Sequence, residues 1–175
     1  MAIVLSLIAI LIYLAVRFGD LRYGIGGVVT LAHDTCSTIG IFSVCSFITA
    51  TAVGQAILIG DFKIDMTIVA AFLTLLGYSI NDSIVIYDRI RENRHKGTLS
   101  TQLINKSINE CISRTILTST TTILVLLTMY IFAGKGLRGF NFTMLFGVVI
   151  GTYSSVAISA PVLLFRVKAK LDKGK

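Results

Sequence analysis

Met66-Thr-Ile-Val-Ala-Ala-Phe-Leu-Thr-Leu-Leu-Gly-Tyr-Ser-Ile-Asn-Asp-Ser-Ile-Val-Ile-Tyr87 is long enough to cross a bilayer as a helix, and it holds a carboxylate, Asp82, within it. About 20 apolar residues span the ~30 Å hydrocarbon core. An Asp or Arg near the centre of that core costs roughly 3 kcal/mol on insertion scales. Two further ionisable groups share this setting: Arg114 opens a later apolar run, and Asp34 sits inside an earlier one. Three costly groups in one chain point to proton or ion handling within a membrane.

Composition sets the class. Of the 175 residues, 54% are hydrophobic and 14% charged, and mean hydropathy is +0.83. A soluble domain carries about a quarter of its residues as charges. The chain therefore reads as an integral membrane protein. Its net charge of +7 would suggest nucleic acid in a soluble protein. Here the basic residues gather in connections and the tail, so topology explains them and no nucleic-acid partner is expected.

Apolar runs cover about 1–17, 25–49, 65–87, 114–133 and 139–165. Helices are required, because backbone polar groups in lipid must bond within their own segment and period-2 alternation is absent. The expected fold is an all-α, polytopic membrane helix bundle of about five transmembrane helices in a single domain. The first run lacks a basic leader and an A-x-A-like cleavage site, so it reads as a span rather than a signal peptide. Thirteen of the sixteen basic residues fall in or beside the 18–24 connection, the 88–113 connection and the 166–175 tail. The positive-inside rule places that side in the cytoplasm. The C-terminus is then cytoplasmic and Met1 extracytoplasmic, which suggests that something normally precedes this segment. Between 88 and 113, Ile104, Ile108, Cys111 and Ile112 recur at helical spacing. They predict a short amphipathic helix on the cytoplasmic surface of the bilayer.

Helical spacing also sorts the polar residues into stripes. Thr74, Tyr78, Asn81, Asp82 and Ser83 gather on the third span, and Arg114, Thr118, Thr121 and Thr128 on the fourth. Thr30, Asp34 and Ser37 do so on the second. Gly147, Gly151, Ser154 and Ser155 make a small-residue packing face on the last, with one GxxxG pattern. Polar groups in hydrocarbon turn toward one another or toward water, so the stripes are expected to face a common interior. Asp82 lies about 6–9 Å inside the cytoplasmic end of its span at 1.5 Å per residue. Arg114 enters its own span from the same side, so the two are placed to meet. Burial favours a neutral carboxyl, a nearby guanidinium favours the carboxylate, and Arg keeps its proton. Asp82 and Arg114 are the expected proton relay, with Asp34, Asn81, Thr118 and Thr121 as supporting polar groups. Cys36, Cys45 and Cys111 form no CxxC pair and read as packing residues. Neither a metal site nor a cofactor is expected.

Gly77-Tyr-Ser-Ile-Asn-Asp-Ser-Ile-Val-Ile-Tyr-Asp-Arg-Ile-Arg-Glu-Asn93 resembles the long signature of the SecF family, a subunit of the RND-like SecDF complex of protein export. Ala32-His-Asp34, Ser113-Arg-Thr-Ile-Leu-Thr-Ser-Thr-Thr-Thr122, Leu137-Arg-Gly-Phe140 and Gly147-Val-Val-Ile-Gly-Thr-Tyr-Ser-Ser155 agree in the same order. The resemblance implies half of an RND-type transporter in the bacterial plasma (inner) membrane. It would be paired with a SecD-like subunit and use the proton motive force to help draw a preprotein from the SecYEG translocon. The family's relay residues fall on Asp82 and Arg114. Family members have six spans and an extracytoplasmic domain after the first, and this chain starts at what corresponds to the second.

Rival classes remain in view. An RND-like small-molecule or lipid exporter would share the relay and differ in substrate. An intramembrane aspartyl protease needs a Gly-x-Gly-Asp setting that neither Asp34 nor Asp82 has, so no enzyme is expected. A truncated structural subunit would carry the same residues without independent activity.

Overall fold

The computed structural model describes residues 1–48, 65–94 and 100–163, and among these every regular element is helical. The last expected residues of the second and final spans, and the basic tail 166–175, lie outside the described residues. Helix α1 spans Ala2–Phe18 and α2 Leu21–Ile48. Helix α3 spans Met66–Arg94 and α4 Thr101–Phe132. Helix α5 starts at Lys135, passes through a π-helical turn at Ser155–Ser159 and resumes to Leu163.

The ends have local causes. Gly19 takes φ 66°, the left-handed conformation that stops α1 at little steric cost. Asp65 Oδ1 accepts the Ile68 N–H at 3.0 Å and Ser100 Oγ accepts that of Leu103 at 3.3 Å, so α3 and α4 begin on side-chain caps. The π turn precedes Pro161, which has no N–H to donate and whose ring crowds the Ala157 carbonyl four residues back.

Among the described residues four stretches are long and apolar enough to cross a membrane: Leu21–Cys45, Met66–Arg94, Thr101–Phe132 and Gly136–Leu163. Helix α1 is apolar but shorter. The chain is a multi-pass membrane protein.

The connection between the third and fourth spans differs from expectation. Helix α3 runs on to Arg94 and α4 begins at Thr101, so residues 101–113 are the first turns of a spanning helix. No separate surface helix forms there. No Gly or Pro interrupts the segment from Ser100 to Phe132. Ile104, Ser107 and Cys111 are buried, and the Asn93 amide donates to Ser107 Oγ at 2.9 Å. The amphipathic stripe packs on its own bundle. Residues 95–99 lie outside the described set.

Helices α3 and α5 run parallel through the centre, with α2 beside them and α1 and α4 on the flanks. Close approach depends on missing side chains. A Cβ on Gly147 would stand 2.5 Å from Leu75, and one on Gly151 3.1 Å from Ser79 Oγ. A Cβ on Gly24 would meet the Leu11 carbonyl oxygen at 2.9 Å, so α1 and α2 touch through backbone. Two apolar clusters result. One joins Ile68, Phe72 and Leu75 to Leu126, Met144 and Val148. The other gathers Leu14, Leu31, Leu76, Ile86, Tyr87 and Ile90 toward the Arg94 end of α3. The intramembrane polar residues lie around their junction.

Candidate intramembrane polar site

A 3.6-residue period cannot put Asn81 and Asp82 on one face, since neighbours stand about 100° apart. Asp82 is turned inward, 5% exposed, with Ser79 and Ser83 on the same buried side. Thr74 and Asn81 are exposed instead, and Tyr78 is half-buried with its hydroxyl donating to Thr122 Oγ1 of α4 at 3.2 Å. The stripe predicted on the third span is therefore two stripes on different faces.

The inner stripe meets α2 and α5. Ser79 Oγ donates to Asp34 Oδ2 at 2.5 Å, and Asp34 is fully buried. His33 Nδ1 lies 3.3 Å from Asp34 Oδ1, and Ser37 Oγ 3.4 Å from His33 Nε2. Gly151 leaves room for this contact, because a Cβ there would press on Ser79 and stand 3.6 Å from Asp34 Oδ2. A Cβ on Gly147 would meet Leu75, and Gly151 also borders a polar contact. Thr30 and Thr38 are buried on α2, bonding the Gly26 and Asp34 carbonyls. Sequence reasoning did not single out Ser79. One serine on a mostly apolar face carries no signal until its neighbour across the interface is known.

One turn further along α3 the satisfaction stops. Asp82 Oδ2 and Ser83 Oγ are buried without a hydrogen-bond partner, and so is Ser159 Oγ in the π turn. The register carries the two helices past one another in step: Gly151 borders Ser79, and the Ser159 carbonyl accepts from Tyr87 Oη at 3.4 Å. Orphaned polar atoms in a dry interior cost about 1–3 kcal/mol each. Among the described residues the other such atoms are Arg138 Nε and both side-chain polar atoms of Asn141 near the start of α5, so the Asp82 region is one of two places that the bundle leaves unsatisfied.

Arg114 does not close an ion pair with Asp82. The guanidinium is exposed and makes no hydrogen bond. Thr118, Thr121 and Thr128, also exposed, return their hydroxyls to carbonyls of their own helix at 2.8–3.1 Å. The stripe on α4 thus faces away from the bundle, against the expectation of one common interior. Threonine can do this because a back-bond satisfies it in lipid, but Arg114 and Asn81 have no such outlet.

Among the described residues no disulfide joins the cysteines: Cys111 is buried, Cys45 is half-buried and Cys36 is exposed. The packing role predicted for all three therefore fits Cys111 and not Cys36, which sits on the outer side of α2. No group of three or more His, Cys, Asp and Glu side chains among the described residues could hold a metal.

Residues 1–169 match the family described as protein export membrane protein SecD/SecF, C-terminal. A protein translocase subunit SecF from Koribacter versatilis is 47% identical over 167 residues, 94% of this chain and 37% of the relative. SecF subunits from Rhodothermus marinus and Rickettsia rickettsii are 44% and 43% identical, over 91% and 99% of this chain and 49% and 52% of theirs. The chain thus spans about half the length, or less, of these curated relatives. A crystal structure of SecDF in a super-membrane-facing form superposes with a TM-score of 0.78 at 36% identity, covering 96% of this chain and 21% of that one. A SecDF structure from Thermus thermophilus, described as a translocon-associated membrane protein, gives 0.76 at 35%, covering 90% and 20%. By residues matched and by fold, the chain belongs to the SecD/SecF C-terminal family of protein export membrane proteins.

Proposed function

We propose that this chain is the membrane part of a SecF-type subunit which, with a SecD-like partner, couples proton movement to preprotein translocation through SecYEG. Asp82 is the group that gains and loses the proton. Arg114 is the fixed charge that biases it. One observation carries this reading: a carboxylate buried inside a spanning helix keeps an oxygen without a hydrogen-bond partner, and no ion pair with Arg114 locks it. A closed ion pair would be a static strut. An open one gives the carboxyl two states whose balance depends on how far Arg114 stands away, and a small helix movement changes that distance.

Asn81 and Arg114 present unpartnered polar groups on the outside of an apolar bundle, where lipid cannot satisfy them. A second, SecD-like half set against this face would supply water or polar groups. Thr118 and Thr121 would line the same seam, and Asp34 would hold α3 in register through Ser79. The inner membrane is the proposed location, with the Arg94 end of α3 toward the cytoplasm.

The test uses the complete SecDF-type complex in proteoliposomes carrying Asp82→Asn. Assembly is expected to be unchanged, and stimulation of preprotein translocation by a proton gradient is expected to vanish. Full gradient-dependent stimulation by the variant would remove Asp82 from the mechanism.

A further inference from the structure

Away from the Asp82 site, where α1 stops, α2 starts and α3 finishes, the bundle forms a polar pocket of about 330 Å³ lined by Phe18, Gly19, Asp20, Tyr23, Arg91 and Arg94. Its shape follows from local sequence. The left-handed turn at Gly19 folds α2 directly back on α1. Phe18 and Tyr23 then stack at 4.9 Å, and Tyr87 meets both edge-on at 5.9 and 5.2 Å. That aromatic cluster is a rigid wall.

The charges around it are unevenly spent. Asp20 is occupied within its own turn, accepting the Arg22 N–H at 3.0 Å and lying 3.6 Å from Arg22 Nε. Arg89, just outside, is committed to Glu92 and Glu110 at 2.6 Å each. Arg91 makes a single long bond, 3.4 Å to the Arg17 carbonyl, and Arg94 makes none. Both guanidinium groups are exposed with donors to spare, and the forked geometry of Arg suits phosphate oxygens. Depth selects the source of that phosphate. The apolar run of α1 ends at Val16 and that of α3 at Tyr87, so the pocket sits where hydrocarbon gives way to headgroups. Ile8, Ile12 and Val16 are exposed at successive turns of α1, leading from the bilayer toward the pocket.

We propose that this pocket binds the phosphodiester headgroup of an anionic phospholipid, held by Arg91 and Arg94, with an acyl chain lying along the exposed face of α1. Basic pockets between spanning helices recognise lipid headgroups in this way. The inference does not depend on the relay.

The test is retention of phosphatidylglycerol against phosphatidylcholine by the full chain, taken from mixed nanodiscs and read by native mass spectrometry. Wild type is expected to keep phosphatidylglycerol preferentially. Arg91→Gln with Arg94→Gln is expected to lower that retention about tenfold, each arginine near the surface contributing to anionic-lipid attraction. Arg89→Gln with Lys106→Gln removes the same charge outside the pocket and is expected to leave retention within about twofold. Equal losses in the two double variants would reduce the effect to bulk charge and overturn the site. Displacement of the lipid by millimolar inorganic phosphate would overturn the lipid assignment. Should the first double variant fail to insert, Arg94→Gln alone carries the same comparison, since Arg94 bonds nothing and lies at a helix end.

Discussion

The α2–α3–α5 seam and the outer face of α4 are both polar strips inside apolar helices, yet they are built in opposite ways. In the seam, Asp34 is fully buried and takes a short bond from Ser79, with Gly151 backing the contact. On α4 the threonines satisfy themselves, and Arg114 stands exposed with no bond. Polar groups answered within the chain order the fold. Those left unanswered point to something outside it. The contrast separates residues that hold the bundle in register from residues that the proposed function assigns to a partner face.

The sharpest way to break the contrast is to remove one member of each set and compare stability of the isolated chain in detergent. Asp34→Ala deletes the acceptor of Ser79 in a closed interior and is expected to cost about 1–3 kcal/mol, read as a clear fall in the thermal midpoint. Asp34→Asn keeps an acceptor of the same size and is expected to cost less. Arg114→Gln is expected to stay within about 0.5 kcal/mol, as for exposed positions without partners. Loss of stability from Arg114→Gln equal to that from Asp34→Ala would erase the distinction.

A second comparison concerns backbone contact against open face. A methyl on Gly24 meets the Leu11 carbonyl oxygen at 2.9 Å, and main chain cannot swing aside as a side chain would. Gly24→Ala is expected to cost about 1–2 kcal/mol through overpacking between α1 and α2. Gly40, on the same helix, has nothing within 4 Å of its would-be Cβ. Gly40→Ala is expected to be neutral or stabilising by up to about 1 kcal/mol, because alanine is the better helix former. Helix content and thermal midpoint measured on the two variants check both signs, and equal effects would mean that α1 does not seat on α2 as described.

Sequence carried the membrane class and family far, and the site only part of the way. Asp82 and Asp34 stand out in apolar runs, and burial cost alone predicts that both turn inward, as they do. Where each stripe faces was harder to read. Spacing fixes which residues share a side, but not whether that side meets the bundle, lipid or another chain. Asn81 and Asp82, adjacent in sequence, part company for that reason, and Arg114 with Thr118 and Thr121 faces outward. Ser79 was illegible because hydrogen bonding across helices leaves no periodic trace. The π turn had a cue in Pro161. The continuation of α3 beyond Tyr87 had one in Ile90, which extends the buried face of Ile86 and Tyr87.

The smallest expected effect bears on how α4 is attached. The hydroxyl contacts that tie its spanning part to the bundle include Thr152 to Ser119 Oγ at 2.7 Å and Tyr78 to Thr122 at 3.2 Å. Interhelical hydrogen bonds in membrane proteins average about 0.6 kcal/mol, because the separated helices find other partners. Thr152 also reaches the Val148 carbonyl at 2.7 Å, so it is not stranded when Ser119 is removed. Ser119→Ala is therefore expected to shift stability by no more than about 0.6 kcal/mol. In the proposed mechanism a small displacement of α4 would move Arg114 relative to Asp82. A loss above about 2 kcal/mol from Ser119→Ala, well beyond the usual range for such bonds, would show α4 fixed as firmly as α3. The movement that the proposed relay requires would then have to come from α2 or α5 instead.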